Sequence, residues 1–161
     1  MTAEGWLQVA EDTIGAAEYC FLITVSSSGR ANARLMHPFK PGEDMTIWFG
    51  VSPRSRKVRE IEANDQVTVT YLNAREHGYV ALQGKAQVER DLDARRQHWR
   101  EEWARFWPAG PEDEDYVVVK FVPTRIELMN IIRKVVPKPR TQPAVLVREE
   151  DSWVIPDDED L

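Results

Sequence analysis

Ser52 and Ser55 are interleaved with Arg54, Arg56 and Lys57, so that two hydroxyls and three cations fall within one short stretch of chain. Such groups make charge-assisted hydrogen bonds to phosphate oxygens. The residues before them, 45–51, are mostly β-formers, whereas Val58 and Ile61 after them are spaced as on a helix. A strand therefore runs through a Ser-Pro turn into a helix, with the cations on its first turn. A helix N-terminus attracts anions through its free N–H groups and dipole. Cations there have the wrong sign, by roughly 0.3–1 kcal/mol each. An anionic ligand removes that conflict; the alternative is a solvated basic turn, since the glycines of a nucleotide-binding loop are absent. Arg34, on a preceding strand, can reach the same place if strands two and three form a hairpin. Arg56 and Lys57 are then expected to face solvent when no ligand is bound.

The elements that must position these groups follow from periodicity. Over 2–18, Trp6, Leu7, Ala10, Ile14 and Ala17 recur three or four residues apart, which predicts an amphipathic helix. Residues 19–26 and 31–39 read as strands joined by Ser27-Ser28-Gly29-Arg30, and 45–50 as a third. A short helix over 55–63 precedes the alternating strand 66–72. A longer strand over 79–89 contains Gly84, the mark of a bulge or a close backbone approach. Asp91 caps a helix expected to reach Trp107, with Trp99, Trp103, Phe106 and Trp107 largely on one face as core or interface packing. Two strands, 116–122 and 125–132, are expected on either side of Pro123-Thr124, and a short one over 144–148. Residues 1–135 form one domain in this reading; 136–161 are a proline-rich connector and an acidic tail. Six or seven short strands with hairpin turns predict a mainly β fold, a small antiparallel barrel with flanking helices.

Composition narrows the partners. The 161 residues, 42% of them hydrophobic and 30% charged, describe an ordinary globular chain with one core. A net charge of -6 argues against nucleic-acid or anionic-membrane binding, so the basic cluster is expected to meet a small anion. The single cysteine, Cys20, and the scattered His37, His77 and His98 form neither a disulfide framework nor a metal-ligand pattern. With no apolar run long enough to cross a bilayer and no signal segment, the expected location is cytoplasmic.

Taken together, several stretches resemble the pyridoxamine 5′-phosphate oxidase-like superfamily of FMN-binding split barrels, and in particular its general stress protein branch. The resemblance is carried by Arg34-Leu35-Met36, by Ile47-Trp48-Phe49-Gly50 leading to Ser55-Arg56-Lys57-Val58, by the strand from Val80 to Ala86, and by Val122 to Leu128. It implies a six- to seven-stranded antiparallel split barrel and a homodimer with FMN in clefts between subunits. It also implies that Arg34, Ser55, Arg56 and Lys57 hold the phosphate and ribityl end, with the backbone of Leu35, Met36, Gly50 and Val51 beside the flavin. The partner would add residues from the strand at Tyr79 to Gly84 or from the Trp99 to Trp107 segment. A flavin needs both an anion site and an apolar, backbone-lined slot.

The resemblance does not extend to the vitamin B6 substrate site. Where the oxidases carry Tyr, Arg and Ser on a helix, this chain reads Gln97, Glu101 and Arg105, and Tyr79 stands where a glutamine is expected. The leading functional reading is a flavin-dependent oxidoreductase of unidentified substrate. A non-catalytic flavin-binding or flavin-buffering stress protein is the second, because no nucleophile–base pair is evident. A deazaflavin or haem binder on the same fold is the third.

Overall fold

The computed structural model describes residues 1–137 and 142–157. The expected connector over 136–143 therefore lies partly, and the end of the acidic tail wholly, outside the described residues. The elements are α1 (Ala3–Gly15), β1 (Cys20–Val25), β2 (Ala31–Met36), β3 (Ile47–Val51), α2 (Arg56–Ala63), β4 (Gln66–Asn73), β5 (Gly78–Glu89), α3 (Leu92–Gln97), β6 (Val117–Asn130), β7 (Ala144–Glu149) and β8 (Ser152–Val154). Among the described residues eight strands, rather than six or seven, form one antiparallel sheet in the order β2-β1-β4-β5-β6-β7-β8, and β3 pairs separately with β6.

The predicted break at Pro123-Thr124 is a bulge inside one continuous β6, not a gap between two strands. Gln83 pairs with Arg125 but Gly84 with Pro123, so Thr124 is the extra residue. A Cβ on Gly84 would lie 2.1 Å from the Val122 carbonyl oxygen, so only glycine permits the approach. The length of β6 lets one edge serve two partners: Val117 to Phe121 pair with β3, and Arg125 to Leu128 with β7. The sheet does not close, because β2 pairs only with β1 and β3 only with β6. Strands two and three are thus not the hairpin that the sequence allowed.

The core fills the curve of this sheet. Leu22, Phe49, Val69, Leu82, Phe121, Ile126 and Leu146 are fully buried, and each such side chain contributes about 1.5–3 kcal/mol on leaving water. Helix α1 closes one side with Val9, Ala10 and Ile14, and its N-terminus is capped by Thr2 Oγ1, which accepts from Gly5 N–H at 3.1 Å.

The second internal helix stops at Gln97, ten residues before the predicted end at Trp107. Beyond it the chain turns through His98 and a 3₁₀ turn at Glu101–Arg105, which brings Trp99, Trp103 and Trp107 around the buried Tyr116 ring. A straight helix could not place all three indoles on one phenol; packing overrides local propensity. Phe106 is left 60% exposed, outside that cluster.

Candidate cofactor site

Helix α2 lies against β1 by way of one buried carboxylate. Glu60 accepts from Asn32 Nδ2 at 3.0 and 3.1 Å and from Thr24 Oγ1 at 3.1 Å, and pairs with Arg56 Nε at 3.2 Å. Thr24 Oγ1 in turn accepts from Arg34 Nη1 at 2.7 Å, and the Leu22 carbonyl from the same nitrogen at 3.3 Å. Glu60, Thr24 and Arg34 thereby form a relay from helix to edge strand, which brings Arg34 to the α2 N-terminus without a β2–β3 hairpin. Sequence reasoning missed Glu60, Thr24 and Asn32. The available signal was Thr24, a hydroxyl at a core-facing position in line with Cys20 and Leu22.

Donors without acceptors are the notable feature here. Arg34 Nη2 and Ser55 Oγ are buried and have no hydrogen-bond partner among the described residues, a state that costs about 1–3 kcal/mol or more for each such group. Ser55 is the N-cap residue of α2, yet its hydroxyl makes no capping bond. Lys57 is half-buried rather than solvent-facing and has no acceptor among the described residues. Burial lowers its pKa, and the Arg34 charge lowers it further. Burial likewise lowers that of Arg34, with Glu60 opposing and Arg56 adding to the effect. Burial alone would raise the Glu60 carboxyl. The Asn32 and Thr24 hydrogen bonds, with the charges of Arg34 and Arg56, outweigh it and leave the carboxyl below the ordinary glutamate range.

Not every cation of the basic turn joins this cluster. Arg56 is exposed and paired with Glu60. Arg54 turns the other way, its Nε 3.1 Å from Asp115 Oδ1, the oxygen that also accepts from Ser52 Oγ at 2.7 Å. Those two bonds hold the Asp115 carboxyl below its usual range. The residues brought together with orphan donors or an unpaired charge are Arg34, Ser55 and Lys57.

The backbone positions divide in two. Ser26 N–H donates to the Arg30 carbonyl at 2.9 Å, closing the β1–β2 hairpin. Alternation from that pair turns the backbone of Arg34 and Met36 toward β1 and leaves the Leu35 N–H and C=O on the open edge. On β3, Trp48 C=O accepts from Phe39 N–H at 3.0 Å across the edge away from β6, and the same alternation points the Gly50 backbone that way and the Val51 backbone toward β6. Val51 is buried in the core, and the Leu35 side chain is exposed. A Cβ on Gly50 would meet the Trp103 ring at 2.3 Å and Tyr116 at 2.9 Å, so its glycine serves the close packing of the tryptophan cluster on β3.

This arrangement of an open-edged sheet, an anion-seeking cluster and a tryptophan-rich arm can be set against known proteins. Residues 7–128 match the family described as pyridoxamine 5′-phosphate oxidase like. The chain belongs to this family. General stress protein 26 of Bacillus subtilis is 30% identical over 105 residues, which span 63% of this chain and 73% of that protein. A Clostridium acetobutylicum protein related to general stress protein 26 superposes with a TM-score of 0.76 at 13% identity, covering 94% of this chain and all of the other. A pyridoxamine 5′-phosphate oxidase-related, FMN-binding protein of Nostoc punctiforme gives 0.64 at 16% identity, covering 92% and 93%. The pyridoxamine 5′-phosphate oxidase-like fold is thus common to chains whose sequences have diverged widely.

Outside this cleft, Cys20 is buried and its thiol is pushed up to about 12 by desolvation, against a smaller effect of Tyr71, so it is neutral. His98 stacks on Trp48 at 4.0 Å. Among the described residues no group of three or more His, Cys, Asp or Glu side chains could hold a metal, and no helix is long and apolar enough to cross a membrane.

Proposed function

We propose that this protein binds FMN, its phosphate held by Arg34, Ser55 and Lys57 with Arg56 at the rim, and that it works as a flavin-dependent oxidoreductase. The observation that carries this reading is the pair of buried, unpartnered donors, Arg34 Nη2 and Ser55 Oγ, beside the unpaired Lys57. A phosphate monoester offers acceptors and negative charge to all three. The open-edge N–H and C=O of Leu35 and Gly50 suit the hydrogen-bonding rim of a flavin ring. Bound FMN would supply electron or hydride transfer, and the protein binding and orientation.

The same reading makes the protein a homodimer. The outer sheet face sets Phe21 opposite Leu35, and Leu72 opposite Tyr79. These four side chains are exposed by 48, 59, 66 and 37%, a patch that a second copy would cover.

The test is the visible spectrum of the purified protein during FMN titration, beside Arg34→Met. Saturable FMN binding that Arg34→Met weakens at least tenfold is expected, with reduction of the bound flavin by a nicotinamide or substrate as the second readout. Binding without any turnover would assign the protein to flavin storage. A deazaflavin spectrum, or the intense haem band expected of the Mycobacterium smegmatis heme binding protein that shares this fold at 16% identity and a TM-score of 0.60, would assign the cleft to that group instead. Unchanged FMN affinity in Arg34→Met would remove the phosphate assignment.

A further inference from the structure

A second cavity, of about 590 Å³, opens between the C-terminal end of α1 and the loop that leaves β2. Its size is in the range of small-molecule sites. Its walls are largely apolar, built from Ile14, Pro38, Phe39 and Met45, and two polar groups converge on it, Tyr71 and Arg100.

Both polar groups have unused capacity. Tyr71 is only 2% exposed and, among the described residues, its hydroxyl has no nitrogen or oxygen partner; the thiol of Cys20, a weak partner, stands beside it. Arg100 donates through Nη1 to the His37 carbonyl at 3.0 Å and through Nη2 to that of Pro38 at 2.7 Å, with its guanidinium over the Phe39 and Trp103 rings. A guanidinium has five N–H groups, and these two bonds use two of them.

Clamping the loop accounts for those bonds but not for the charge. Carbonyl oxygens are neutral, and no carboxylate lies within ion-pair distance of Arg100 among the described residues. Burial lowers its pKa, with Glu102, Tyr116 and Tyr19 acting the other way. The other charged groups around the cavity, Glu11, Glu18 and Lys40, are exposed, with His37 half-buried. Two carboxylates near the mouth oppose a dianion, whereas one inner guanidinium suits a monoanion with an apolar body.

We propose that this cavity binds a small apolar carboxylic acid, its carboxylate on Arg100 and a distal hydroxyl, where present, on the Tyr71 hydroxyl. The binding does not depend on the flavin reading.

The probes are 3-phenylpropionate, its neutral counterpart 3-phenylpropanol, 3-(4-hydroxyphenyl)propionate and inorganic phosphate. Each is titrated against the purified protein by tryptophan fluorescence and by amide NMR shifts. Saturable binding of the acid is expected, with the alcohol and phosphate at least about tenfold weaker, the scale of one charge-assisted contact. Arg100→Gln should remove the preference for acid over alcohol. Tyr71→Phe should remove any preference for the hydroxylated acid over 3-phenylpropionate. Equal binding of acid and alcohol by the unmodified protein, or no saturable binding, overturns the proposal even if a variant does not fold. FMN titration of the same samples keeps the two sites separate, since neither variant touches Arg34, Ser55 or Lys57.

Discussion

Glu60→Gln tests whether one buried carboxylate holds the cation cluster together. The substitution keeps the shape and removes the charge. Oε1 faces Asn32 Nδ2 and Arg56 Nε, whereas Oε2 faces Asn32 Nδ2 and Thr24 Oγ1. Whichever oxygen becomes the amide nitrogen, it meets at least the Asn32 amino group, donor against donor. Placing the amide at the Thr24 side is the milder choice, since that hydroxyl can accept. One or two hydrogen bonds to a charged acceptor are then lost, at about 1.5–3 kcal/mol each, and Arg34 and Arg56 lose their neutralising partner. A loss of about 2–3 kcal/mol at pH 7 is expected after the side chains relax. The pH dependence gives the sign. The Glu60 carboxyl is depressed in the folded state, so its contribution is present above the ordinary glutamate range and is lost as pH falls through the lower folded value. Urea unfolding of both proteins from pH 7 down to the lowest pH at which both fold should show a gap that is constant at first and then narrows below the ordinary glutamate range. A gap under about 0.5 kcal/mol at pH 7, the scale of an ordinary surface substitution, would refute the reasoning, as would one that does not change with pH.

Three further outcomes follow from the same geometry. For the homodimer proposed above, Leu72→Arg on the exposed outer face should shift sedimentation from dimer to monomer while leaving the circular dichroism unchanged; a protein that sediments as a monomer without the substitution overturns that proposal. Gly50→Ala should cost about 1–3 kcal/mol by overpacking and should alter tryptophan fluorescence, because the new methyl displaces Trp103. Gly84→Ala meets backbone rather than a movable side chain. It should therefore reach or exceed the upper end of that range in urea melts, with no matching change in the tryptophan spectrum.

Much of the fold was legible because period-two alternation marked β4, a run of β-forming residues marked β1, and turn chemistry marked the β1–β2 hairpin. The bulge was legible at Gly84 but its consequence was not: Pro123 suggested an end to a strand, whereas Gly84 across from it made room for the strand to continue. The length of the second internal helix failed for a different reason. The residues from His98 to Trp107 have ordinary helical spacing, and the contacts that accompany the turn, Trp99, Trp103 and Trp107 on Tyr116 and Arg100 on the His37 and Pro38 carbonyls, arise only in the fold. At the proposed site, charge type and spacing pointed to Arg34, Ser55, Arg56 and Lys57 alike and could not divide the basic turn. The diversion of Arg54 depends on Asp115 and that of Arg56 on Glu60, and Asp115 arrives only through the tertiary fold.

That division has an electrostatic consequence. Arg34 and Arg56 are opposed by a single carboxylate, Glu60, and Lys57 has no acceptor among the described residues, which leaves a local surplus of two positive charges in a chain whose net charge is -6. A phosphate monoester carries about -1.5 to -2 at pH 7, so the surplus nearly matches the ligand proposed. Glu60 is far enough along the relay to hold Arg34 through Thr24 without covering its Nη2, which remains unpaired. A carboxylate bonded directly to Nη2 would stabilise the free protein more and compete with the phosphate. The relay fixes the guanidinium while leaving its Nη2 edge open, and in the binding proposed above the repulsion between Arg34 and Lys57 in the free protein would become a contribution to affinity when the anion enters.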